Sequence, residues 1–379
     1  MTHEPGAAPV ANPTSSPGPV NQARRPPSTL PAQATPGPTD LHAPAGPDPA
    51  GPEADRPAPG EPTGRPDPTA GPDRSPFTVG TVVLAVLALL WLAGMLWAAQ
   101  ATIAASEITE MIIVYAAYAL PGAVSAGLVG GAALALVVLS AVDSRPVGAG
   151  RLAGTPTRRF ALATVAGLAT GLLATTVVLL SSDGGDAIAV LAGTVAAAGT
   201  IGGALAGIRA ARVVAAVVAA GLTVFVVGFL FSRFQVPLLS MFGSGESEAS
   251  RASAAGWFSL TASLSSGLGA GLVSYGYLRR TGRHTDAATP RWPAYAVAGA
   301  GPGLLLLITE LLVRTAGARA LAMAGAVSEA DQSVQTVLGV SRVNNALVVL
   351  FVGAIIAILA VGRTMRPATD AEPAAPARS

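Results

Sequence analysis

From Phe77 onward the chain is a train of apolar runs separated by short polar breaks. Runs of about 20 apolar residues match the helix length that crosses roughly 30 Å of hydrocarbon. Their spacing predicts transmembrane helices over 77–99, 118–142, 160–181, 187–208, 213–232, 256–278, 293–313 and 343–362. The second run admits two starts: at Met111, which puts Pro121 inside it, or near Tyr118, with the segment MIIVYAAY as an interfacial turn. The expected fold is all-α, a polytopic membrane bundle of about eight helices over residues 77–366, with counts of seven and nine left open.

Small residues recur at spacing four within these runs: Gly127 and Gly131, Gly167 and Gly171, Gly199 with Gly203 and Gly207, Gly267 and Gly271, Gly299 and Gly303. Lipid offers helices little gain from burying apolar faces against each other, so close backbone approach through small residues becomes the packing device. The runs that carry the pattern (second, third, fourth, sixth and seventh) are expected at the centre. The first, fifth and last are expected to face lipid.

Residues 1–76 are a different material. They hold 21 of the 31 prolines and almost no large apolar residue. Such a segment buries too little surface to offset its ordering entropy, so it reads as a disordered tail, with a short second tail over 367–379. Its proline spacing is compatible with docking to an aromatic groove on a protein partner.

Overall, 51% of residues are hydrophobic and 12% charged, about half the roughly 25% charged of soluble domains. All 23 basic residues are arginine. With the heavy use of alanine, glycine and proline, that points to a GC-rich bacterial source. The arginines flank apolar runs instead of sharing one face, which excludes nucleic acid as the partner and makes the lipid bilayer the first one. With the N-terminal tail inside, thirteen arginines fall in inner connections and five (Arg233, Arg251, Arg314, Arg319 and Arg342) in outer ones. Most acidic residues of the bundle fall outside. The positive-inside rule then places both termini in the cytoplasm, across a plasma membrane.

Candidate chemistry is sparse. Ionisable groups inside membrane runs are costly and are functional suspects by default. Glu310 is such a group, with Arg314 four positions later in the favourable acid-before-base order. That spacing predicts a paired charge one turn from the outer edge, exposed enough for its neutralisation to cost little. Pro302, between Gly301 and Gly303, lies near mid-membrane, where a proline kinks a helix and frees a carbonyl. Glu310, Arg314 and Pro302 are the candidates for a ligand or ion path. Glu107 with Glu110, and the turn SSDGGD at 181–186, are acidic but fit the ordinary charge of outer loops. Asn344 and Asn345 read as caps of the last helix.

The chain has no cysteine, and its three histidines lie outside the runs. It contains no HExxH, phosphate-binding loop or GxSxG motif. No catalytic residue, metal or cofactor is expected, and the chain is expected not to be an enzyme. The deep positions are mostly Ala, Gly, Val, Leu and Thr. That points first to a non-catalytic protein acting by association within the membrane or through its tail. A channel or secondary transporter for a small solute or ion is the alternative. Substrate and oligomeric state are not legible.

Overall fold

The computed structural model describes residues 76–105, 108–144, 155–180, 185–283 and 291–364. The tails inferred for 1–76 and 367–379 lie outside the described residues, apart from Pro76, which opens the first helix. Of the described residues, 92% are helical and none form a strand. The helices are α1 (Pro76–Ala104), α2 (Thr109–Asp143), α3 (Pro156–Leu180), α4 (Asp186–Ala206), α5 (Ala211–Arg233), α6 (Gln235–Met241), α7 (Glu248–Arg283), α8 (Trp292–Thr315), α9 (Ala318–Val327) and α10 (Glu329–Gly362).

Seven of these, α1 to α5 with α8 and α10, are long and apolar enough to cross a membrane, which makes this a multi-pass membrane protein. The predicted sixth crossing falls in α7, which has ample length but too many hydroxyls to join that group. Its side chains are sorted by face. Trp257, Leu260, Leu264, Leu268 and Leu272 are exposed, whereas Ser263, Ser266, Gly267, Ala270, Gly271 and Ser274 are buried. An apolar stripe outside and a small, hydroxylic face inside is the arrangement a helix needs between lipid and a packed bundle. From Trp257 to Arg279, 22 residues at ~1.5 Å each give about 33 Å, the thickness of the hydrocarbon layer.

Every predicted small-residue series sits where two helices meet. A Cβ on Gly131 or Gly167 would strike the backbone of Gly199, and one on Gly203 would strike Gly167, so α2, α3 and α4 touch backbone to backbone. Gly267 and Gly271 of α7 and Gly299 and Gly303 of α8 all lie against α10, where Gly353 faces Gly299.

Centrality departs from the expectation. Helix α5 has no four-residue glycine series, yet it buries Ala215, Ala216, Val218, Ala219, Ala220 and Gly221 against α7, α8 and α2. Alanine there does the work that glycine does elsewhere. Helix α3 exposes Leu168, Leu172, Leu173 and Val177 beside its glycine edge and is peripheral. Helix α10 exposes Phe351, Ile355 and Leu359 on one side but packs its other side along α8 and α7. The segment MIIVYAAY is helical, so α2 takes the early start with Pro121 inside it. Helix α10 begins at Glu329, capped by Ser328, whose hydroxyl accepts from the Asp331 N–H. Asn344 and Asn345 are therefore inside a helix and are not caps.

Candidate functional site

Helix α8 carries Glu310 into contact with α10. Arg314 Nε donates to Glu310 Oε1 at 2.8 Å, which makes the predicted pair. Arg342 Nε, from α10, donates to Glu310 Oε2 at 2.9 Å. Both carboxylate oxygens are thus engaged, and Glu310 is only 5% exposed. The expected solvent-exposed pair is in fact a buried carboxylate bridged by two guanidiniums. The correction has a simple cause: α9 and the first turns of α10 continue the bundle beyond the end of α8. Three ionised groups leave one net positive charge.

The depth follows from helix register. Helices α7 and α10 lie side by side, with Ser263 opposite Asn345 and Gly267 against Val349 and Val352. Trp257 then lies level with Gly339. A Cβ on Gly339 would come within 3.0 Å of Arg314 Nη2 and 3.2 Å of Glu310 Oε1. Indole rings favour the headgroup level, so the charged cluster is level with one headgroup belt while shielded by protein.

Beneath the cluster is a cavity of about 670 Å³. Six helices close a ring around it in the order α1, α2, α8, α10, α7, α5, each packed on the next. Its volume lies within the ~300–1,000 Å³ range of small-molecule sites. The wall is mainly apolar, with rings from Trp91, Phe225, Phe229 and Phe258, and its polar side chains are Ser125, Ser259, Ser263, Ser266, Thr309, Ser341, Asn345, Arg342 and Glu310. Trp91 stacks on Phe225 with ring centroids 5.4 Å apart and planes 4° from parallel. Some hydrogen-bonding capacity is used locally: Ser263 Oγ lies 2.6 Å from Asn345 Oδ1, and Thr309 donates to the Leu305 carbonyl. The Trp91 Nε1–H is buried with no acceptor among the described residues.

Pro302 does not line this cavity. It borders a separate void of about 10 Å³ between α2, α5 and α8, room for about one water. A proline at 302 removes the N–H that would have bonded the carbonyl four residues back. That carbonyl belongs to Ala298, and Ser274 Oγ of α7 approaches it at 2.9 Å. The freed carbonyl is thus met by a neighbouring helix, through a hydroxyl shared with the Ala270 carbonyl at 2.7 Å.

Among the remaining acidic candidates, Asp186 pairs with Arg319 of α9 at 2.7 Å in the open. Glu107 and Asp183 lie outside the described residues. No group of three potential metal ligands occurs among the described residues. Sequence reasoning missed Arg342, Asn345 and the serines of α7. Two signals carried them: Ser259, Ser263 and Ser266 repeat at i, i+4 and i+7, and Arg342 precedes Asn345 by three positions, at the start of an apolar run. No protein-family model, curated protein or solved structure matches the chain.

Proposed function

We propose that this is a non-enzymatic, solute-binding membrane protein, a carrier or channel for a small organic solute. One observation carries the reading: a roomy, mainly apolar cavity inside a ring of six helices, with a charged cluster at one end. Association was favoured by the scarcity of polar groups at depth, and the Glu310–Arg342 cluster and the serines of α7 beside the cavity weaken that ground. The rule of positive loops further supports cytoplasmic termini and a cavity facing outward, and the all-arginine, Ala-, Gly- and Pro-rich composition supports a bacterial plasma membrane.

The test is saturable binding by the full chain in a neutral detergent, followed through its tryptophan emission against a panel of small organic solutes. Trp91 in the cavity wall should report binding. Ala262→Phe, which fills the cavity from α7, should abolish the response without lowering the melting temperature by more than a few degrees. A panel with no saturable response, or responses indifferent to Ala262→Phe, would return association to first place.

A further inference from the structure

The polar groups of the cavity are unevenly matched. Its carboxylate and amide acceptors are engaged: both oxygens of Glu310 take arginine N–H groups, and Asn345 Oδ1 lies 2.6 Å from the Ser263 hydroxyl, which also reaches the Ser259 carbonyl at 2.7 Å. Its donors are not. Arg342 uses only Nε, which leaves both of its Nη groups without a partner among the described residues. Ser266 is 4% exposed, and its hydroxyl has no hydrogen-bond partner among the described residues. The Trp91 Nε1–H is buried and equally unmatched. With Oδ1 of Asn345 accepting, its Nδ2 is a further donor. Of these, the Trp91 N–H is buried, where a donor left unmade is costly, while the partly exposed Arg342 keeps a charge that an anion can pair. A ligand that fits must therefore bring acceptors, and the surplus positive charge of the Glu310–Arg314–Arg342 cluster selects a negative one.

We propose, resting on the solute-binding reading above, that the cavity takes a small organic anion with an apolar body. Its carboxylate or phosphate is held by the Arg342 Nη groups, and its body lies against Trp91, Phe225 and Phe258. Glu310 has a positioning role: it clamps the two guanidiniums through their Nε atoms and turns the free ends of Arg342 towards the ligand. With both its oxygens engaged it offers a cation no free acceptor, and the net positive charge of the cluster repels one. A free organic acid and the headgroup of an acidic lipid share this chemistry.

The experiment compares three probes with one body and different heads on the full chain in neutral detergent: 4-phenylbutanoate, 4-phenylbutanol and 4-phenylbutylammonium. The acid should bind about tenfold or more tighter than the other two. Arg342→Gln should remove that preference by weakening the acid alone, and Arg342→Lys should restore part of it. Should Arg342→Gln fail to fold, Ser266→Ala removes one donor without a charge and should weaken the acid more than the alcohol. Dihexanoyl phosphatidate separates the sources: binding of it in place of the free acid upholds the anionic class and names a lipid as the ligand. Equal or tighter binding of the alcohol or the ammonium overturns the anionic class while leaving a solute-binding cavity in place. Failure of every probe to bind in a manner sensitive to Ala262→Phe overturns both.

Discussion

Glu310 holds two helices through one carboxylate, and its burial changes what its loss should do. Removing one member of a buried ionic cluster leaves the others uncompensated. Here the guanidiniums retain partial access to solvent, which places the expected cost of Glu310→Gln at about 1–3 kcal/mol, measurable as a fall in melting temperature. Arg314→Gln should cost less than about 1 kcal/mol, because that side chain is the exposed member. Equal effects of the two substitutions would contradict the clamp. The sequence made half of this visible. Spacing four within one helix announced the Glu310–Arg314 pair, whereas Arg342 is 32 positions away and joins only through the packing of α10 on α8. Likewise the serines of α7 read as a dilution of hydropathy until their common face was known.

At the level of helices, the joints between them make two sharp demands. Gly299 and Gly353 touch through their backbones, so Gly353→Val should force α8 and α10 apart and cost roughly 1–3 kcal/mol. Gly94 of α1 has nothing near the position of a Cβ, and Gly94→Ala should leave stability unchanged or slightly raised. The second demand is at the kink. Ser274→Ala should strand the Ala298 carbonyl and cost about 1–3 kcal/mol. In a Pro302→Ala background, where residue 302 regains its N–H, that cost should shrink markedly. A double-mutant cycle in thermal melts reads the coupling, and strict additivity would refute the pairing. Helix existence and the glycine contacts were legible because period and residue size act locally. Centrality was not, because the alanines that bury α5 carry no spacing signature, and the lone Gly353 gained its meaning only from Gly299 opposite.

For the whole molecule, the arrangement of charge makes a prediction about sidedness. Asp186, Arg319, Glu310, Arg342 and Asp331 gather at one end of the bundle, and Asp143, Arg159 and Arg279 at the other. The proposed orientation makes the first end external. On a chain without native thiols, cysteine at the exposed Ser244, between α6 and α7, should react quickly with an impermeant maleimide in intact cells. Cysteine at the exposed Ala210, between α4 and α5, should stay protected until the membrane is opened. The reverse pattern would invert the topology and turn the cavity inward. The two-faced α7 also has a consequence for biogenesis. Taken alone as it leaves the ribosome, this helix offers the insertion machinery leucines on one side and a row of hydroxyls on the other, a composition near the threshold for retention in lipid. Part of its serine face is sheltered only when α8 and α10 arrive, where Ser263 meets Asn345 and Ser274 meets the Ala298 carbonyl. A nascent chain ending at Arg283 should therefore hold its last helix poorly, and commitment of that helix to the membrane should wait for sequence that has yet to be synthesised.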